Sequence, residues 1–230
     1  TGTPKCIVHS GGGTLLQHLK EHVLHGDLSR DDVLFYYTTC GWMMWNWLVS
    51  ALAVGCQIVL YDGHPFYPQR DSLFTMVNEL GITRFGTSAK YISMCNSKNV
   101  KLPKMPSLKT IYSTGSPLTE ESYDYIYHTE KLDVQLSSIS GGTDIISCFM
   151  LGNPLAPVYK GELQCRGLGM AVEAYSEEGS PILNNKGELC CTFNSLKHMG
   201  KDFPVPIFIM FRALGIESDK ENYEKNICDF

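Results

Sequence analysis

The sequence has no block of like charge, no Cys-x-x-Cys pair and no apolar run long enough to cross a bilayer. Its 19 basic and 24 acidic residues are interspersed to a net charge of -5. That balance argues against a nucleic-acid footprint or a polybasic membrane patch, so any anionic ligand has to be held by local geometry. The nine cysteines are odd in number, and Cys190 and Cys191 are adjacent. Such usage disfavours a disulfide framework or a structural zinc site and fits a reducing, cytosolic compartment. The longest apolar stretch, 42–56, covers about 15 residues and is broken by Asn46 and Ser50, short of the ~20 that span a membrane. It reads as a buried helix. Thr1-Gly2-Thr3-Pro4-Lys5 contains neither an initiator methionine nor a charged stretch leading into an apolar one. No signal peptide is expected there, and the true start is expected upstream.

Three nucleotide or nucleophile signatures are also missing: G-x-G-x-x-G, G-x-x-x-x-G-K-S/T and G-x-S-x-G. Their absence disfavours standard dehydrogenases, P-loop nucleotidases and nucleophile-elbow hydrolases, although His9-Ser10-Gly11-Gly12-Gly13 has the look of an oxyanion loop.

The 43% hydrophobic composition can fill a substantial core. Extended apolar runs at 6–9, 33–38, 57–61, 83–86, 108–112 and 134–138 alternate with helical periodicity at 14–24, 42–53, 70–80, 88–95 and 119–128. That rhythm predicts an α/β fold, a mostly parallel sheet with crossover helices, over 1–156. From 157 to 192 the texture changes to short segments, 169–175 and 187–192, punctuated by Glu177-Glu178-Gly179-Ser180-Pro181 and Asn184-Asn185-Lys186-Gly187. Turn residues at those points predict antiparallel β-structure. Residues 193–230 form a divergent tail in which Pro204 and Pro206 interrupt an apolar run and exclude a central strand or a helix interior.

Glycine-rich corners at strand ends free backbone amides to surround phosphate oxygens. Three are present: Thr1-Gly2-Thr3-Pro4-Lys5, Ser113-Thr114-Gly115-Ser116-Pro117 and Ser140-Gly141-Gly142-Thr143-Asp144. A single such corner is usually an ordinary turn. Three at the strand ends of one sheet predict a shared cleft, because open α/β sheets bind ligands beyond the carboxyl ends of their strands. The aromatic run Trp42–Trp47 reads as a core stripe. His18, Glu21, His22 and His25 share one helical face, which reads as a solvated face ahead of a metal site. His9 and the cysteines read as packing residues, with Cys190 and Cys191 pointing to opposite faces of a strand.

Thr1-Gly2-Thr3-Pro4-Lys5 resembles the second half of the phosphate loop S-G-T-T-G-x-P-K-G of adenylate-forming acyl-CoA synthetases, the AMP-dependent ligases, with Cys6 in place of the closing glycine. Gly41-Trp42-Met43-Met44-Trp45-Asn46-Trp47, the stretch 113–118 and Ser138-Ile139-Ser140-Gly141-Gly142-Thr143-Asp144-Ile145-Ile146-Ser147 resemble the acetoacetyl-CoA synthetase branch of that family. The resemblance runs to about residue 192. It implies part of the adenylate-forming N-terminal domain followed by part of an antiparallel β-barrel. It also implies ATP, Mg²⁺ and coenzyme A as ligands, acetoacetate as the acyl substrate, and neither a nucleic acid nor a membrane as partner.

Carried over position by position, the resemblance implies that Thr1, Gly2 and Lys5 meet the phosphates, Lys5 as a mobile positive charge. Gly115, Ser116 and Pro117 would pack on one side of the adenine, with Ser138, Ile139, Ser140, Gly141 and Gly142 on the other. Thr143 would meet the phosphates, Asp144 would hold the magnesium where many relatives have glutamate, and Trp42 and Trp45 would line the acyl pocket while Trp47 stays in the core. The ribose-binding aspartate and the adenylation lysine of the family find no match. The resemblance therefore implies a fragment that binds ATP weakly and does not turn over alone. A non-catalytic nucleotide- or partner-binding remnant of the same ancestry is the rival reading, and an unrelated α/β reductase ranks last.

Overall fold

The computed structural model describes residues 8–9, 11–128 and 133–191. Five strands, β1 (Val33–Tyr36), β2 (Gln57–Val59), β3 (Arg84–Ser88), β4 (Thr110–Thr114) and β5 (Gln135–Ser138), form a sheet in the order β2-β1-β3-β4-β5. Every neighbouring pair is parallel. The expected parallel α/β sheet is thus present, and its order reverses between β1 and β3, the kind of switch point that opens a crevice at the strand ends.

Both faces of the sheet are covered, which is why its strands read as continuous apolar runs. Phe35, Phe85, Ile111 and Leu136 pack with Leu73, Phe74 and Val77 of α3 (Ser72–Glu79), Ile92 of α4 (Ala89–Ser97) and Ile126 of α5 (Glu120–His128). On the opposite face Leu34, Tyr36 and Tyr112 pack with Met44, Trp47 and Leu48 of α2 (Met43–Ser50). Alternate residues of β1 therefore serve two separate cores. Helix α4 starts where Ser88 Oγ accepts a hydrogen bond from the Tyr91 amide at 3.1 Å, a capping contact that satisfies an otherwise orphan donor.

Helix α1 (Gly11–Lys20) runs on into a π-helical turn, Glu21–His25. Its polar face does not meet water. Gln17, His18, Glu21, His22 and His25 are all buried, while Leu15, Leu16, Val23 and Leu24 lie on the exposed side. This overturns the solvated-face expectation for 18–25, because each of those side chains finds a hydrogen-bond partner distant in sequence, although the buried His22 Nδ1 has none among the described residues. Among the described residues no cluster of histidine, cysteine and carboxylate side chains is arranged to hold a metal ion.

Antiparallel pairing starts earlier than the change of texture at 157 suggests. Strands β6 (Ser140–Gly142), β7 (Ser147–Leu151) and β8 (Cys165–Arg166) form one three-stranded sheet. Strands β9 (Val172–Tyr175), β10 (Pro181–Ile182) and β11 (Glu188–Cys191) form another, in the order β10-β9-β11. The run 140–142 reads as a loop because it is short and glycine-rich, yet it leaves β5 through Ile139 alone and pairs at once with β7. Of the expected strand 6–9, Val8 and His9 are described and belong to no regular element. The phosphate-loop residues Thr1, Gly2 and Lys5 and the tail 193–230 lie outside the described residues. No described helix is long and apolar enough to cross a membrane.

Candidate functional site

The carboxyl ends of β1, β4 and β5 bring three of the predicted segments together. Beyond β4, Gly115 sits at φ +89°, a left-handed conformation that glycine adopts without steric cost. A side chain built on Gly115 would begin 3.8 Å from the Trp42 indole, so the aromatic residue that opens α2 stands directly over this corner. Ser116 and Pro117 are exposed beside it.

The β5–β6 segment is fastened to the same corner. The Ile139 amide donates to Ser113 O at 2.8 Å, and Thr114 Oγ1 donates to Ile139 O at 2.9 Å. Ser138 and Ile139 are buried. From Ser140 the chain emerges, and Thr143 and Asp144 are exposed in the turn between β6 and β7. The two glycines here do different things. Gly141 allows β6 to approach the Ser147–Cys148 backbone, where a side chain would lie 2.9 Å from Cys148 Cα, whereas one on Gly142 would meet nothing within 4 Å.

Trp42 and Trp45 are half-buried on α2, and Trp47 is fully buried. The Trp42 and Trp47 rings each meet Tyr36 edge-on with centroids 6.0 Å apart, one towards the crevice and one in the core. His9 lies at the turn, where its Nε2 is 3.3 Å from Thr143 O and takes the donor role because a carbonyl only accepts. The 113–117 corner is therefore joined to Ile139, the residue that precedes the 140–144 corner, while the first corner lies outside the described residues.

The sequence reading missed the polar cluster behind the turn. Glu21 Oε1 accepts hydrogen bonds from Gln17 Nε2 at 3.0 Å, Ser147 Oγ at 2.6 Å and the Cys148 amide at 3.1 Å, and Oε2 accepts from Trp47 Nε1 at 2.9 Å. His18 Nε2 donates to Ile146 O at 2.6 Å. Burial pushes the Glu21 carboxyl up, but Lys20, His18 and the hydrogen bonds from Ser147 and Cys148 outweigh it and hold the group below the usual carboxylate range. Burial holds His18 below its ordinary value and lowers His22 to about 4, so both rings are neutral near pH 7. The available signal was the stripe 17, 18, 21, 22 and 25, opposite the leucines, though nothing local shows which side faces inward.

Residues 1–194 match the family described as AMP-binding enzyme. The chain belongs to that family. The chain is 57% identical over 195 residues to the acetoacetyl-CoA synthetase of Gallus gallus, an alignment covering 84% of this chain and 29% of the relative. With the acetoacetyl-coenzyme A synthetase of Rhizobium meliloti it shares 55% identity over 195 residues, 84% of this chain and 30% of that protein. The structure of the acetoacetyl-CoA synthetase from Streptomyces lividans superposes with a TM-score of 0.78 at 41% identity, covering 84% of this chain and 31% of that one. This AMP-binding chain thus spans about three-tenths of the length of the proteins it resembles.

Proposed function

We propose that these residues form the nucleotide- and acyl-recognition part of an acetoacetate–CoA ligase. In that reaction a carboxylate oxygen of acetoacetate bonds to the α-phosphorus of ATP as the bond to pyrophosphate breaks. The thiol of coenzyme A then displaces AMP from the acyl-adenylate. The carrying observation is that Ile139, which leads into the 140–144 segment, is hydrogen-bonded to Ser113 and Thr114 beside the Gly115 corner, against which Trp42 stands.

In this reading Gly115, Ser116 and Pro117 take one side of the adenine and the segment from Ser138 to Gly142 the other. Gly142 leaves its backbone open to a ligand. Thr143 meets the phosphates with hydroxyl and amide, and Trp42 and Trp45 present aromatic surface to the acyl chain. The roles of Thr1, Gly2 and Lys5 as phosphate contacts rest on their sequence alone. The turn suits a magnesium ion, because Asp144 offers an exposed, hard carboxylate oxygen that no ion pair engages among the described residues. A bound magnesium ion would neutralise charge on the triphosphate. Residues 1–156 make up the nucleotide- and acyl-binding unit and 157–192 part of a second one, tied to the first by the antiparallel pairing of β8 with β7, and the setting is the cytosol.

Calorimetric titration of the purified chain with ATP and Mg²⁺ tests the reading. Saturable binding is expected, weakened about tenfold by Asp144→Ala, as befits loss of one charge-assisted contact. Absence of binding at millimolar ATP, or binding that Asp144→Ala leaves unchanged, would overturn it.

A further inference from the structure

The Thr143–Asp144 turn is not held by its own backbone alone. Ile146, which closes it by donating its amide to Thr143 O at 3.1 Å, sits at φ +45°. A β-branched residue is rarely found in that left-handed region, so the surroundings have to impose it. They do so from α1 and the π-helical turn. His18 takes the Ile146 carbonyl, and Glu21 takes the Ser147 hydroxyl and the Cys148 amide immediately after it. Gln17 Nε2 lies 2.6 Å from Ser147 Oγ as well as 3.0 Å from Glu21. The other Glu21 oxygen receives Trp47 Nε1 of α2, the helix that Trp42 opens.

From this arrangement we propose that Gln17, His18 and Glu21 are positioning residues, a buried brace that sets the Thr143–Asp144 turn for metal-bound nucleotide and couples it to the tryptophan helix α2. The inference rests on the reading that Asp144 meets the magnesium of ATP. The two obligatory donors in the brace, the Cys148 amide and Trp47 Nε1, sit on different oxygens of one carboxylate. Only an ionised glutamate serves both. A glutamine at 21 has to turn its own NH₂ towards one of them, which unseats either the turn or the helix while keeping the size of the side chain. His18 Nε2 donates to Ile146 O, because a carbonyl only accepts, and its Nδ1 lies 2.9 Å from Ser50 Oγ, whose hydroxyl also reaches Trp47 O at 2.8 Å.

The test compares ATP affinity with and without Mg²⁺ in the full chain, with thermal melting as a fold control. The Mg²⁺-dependent gain in affinity is expected to fall about tenfold in Glu21→Gln and His18→Gln, with the metal-free affinity held within about twofold, the size seen when supports of metal ligands are removed. In an Ile146→Gly background, where glycine takes the left-handed conformation freely, adding His18→Gln is expected to cost much less. If Glu21→Gln fails to fold, the His18→Gln and Ile146→Gly pair carries the test. Equal losses with and without metal would make the cluster a purely structural one and overturn the proposal. An unchanged metal dependence in both variants, with Asp144→Ala abolishing it, would overturn the brace alone. No binding by the unsubstituted chain, or no effect of Asp144→Ala, would overturn the functional reading and the brace with it.

Discussion

The ring of Tyr36 in β1 lies against the bare α-carbon of Gly86, its register partner in β3, so that any side chain at 86 would overlap the ring. Tyr36 is buried and its ring also meets Trp42 and Trp47. Gly86→Ala is therefore expected to destabilise the fold by about 1–3 kcal/mol through overpacking. The measurement is the urea midpoint, with a shift in tryptophan emission as Tyr36 moves against its two indoles. An unchanged midpoint would mean that the ring has room to slide.

Acid should loosen the molecule in a defined window. His22 titrates at about 4 when folded, against 6.5 for the ordinary imidazole, chiefly because burial disfavours its charged form, and His18 and His25 are lowered for the same reason. Between those values the unfolded chain binds more protons than the folded one. Stability is then full above about 6.5 and falls as the pH drops towards 4, with a slope from His22 of up to ~1.4 kcal/mol per pH unit. Urea midpoints across this range should show the decline, and His22→Gln should flatten it.

At the amino end of the sheet, Asp32 accepts from Lys109 Nζ and Thr83 Oγ1 and lies 3.6 Å from the Arg84 guanidinium. Burial opposes its ionisation, but Lys109, Ser29, Thr83 and Arg84 together bring it down to about 2. Its contribution is present above 3.8 and is lost as the pH falls through 2, below the histidine window. Asp32→Ala leaves the buried Arg84 without this partner and is expected to cost about 3–5 kcal/mol. ATP affinity of the folded variant should be unaffected, since the crevice lies at the opposite end of the strands.

Gly115→Ala probes the crevice itself. The new methyl finds ordinary contact distance to Trp42, so the penalty comes from φ +89° and not from collision. A stability loss of about 1–2 kcal/mol is expected from the left-handed conformation. Weaker ATP binding should accompany it as the corner relaxes, and titration of the variant reads both.

Local pattern reached most of the sheet and its helices because apolar runs such as 33–38 and 108–112 are covered on both faces, and their composition says so without help from distant residues. The turn chemistry around Gly179 and Asn184 likewise announced the later hairpins, and both positions do adopt positive φ. What stayed hidden was long-range. The inward stripe of α1 is polar, and its burial makes sense only once Ile146, Ser147, Cys148, Gly152 and Leu168 arrive to accept and donate. Strand β6 was hidden because Gly141 is needed for its close approach to β7, a reason that looks in sequence like any other flexible corner.

The Glu21 carboxylate has a further consequence for the order of assembly. Its partner Ser147 lies 126 positions later in the chain, an interval of roughly 6–25 s at ordinary rates of ribosomal synthesis. A carboxylate buried without its donors is costly, so α1 has no stable seat during that interval even though the helix itself can form. Helix α1 thus docks only after β7 has emerged, and until then its polar stripe, and not its leucines, is the face left without its partners.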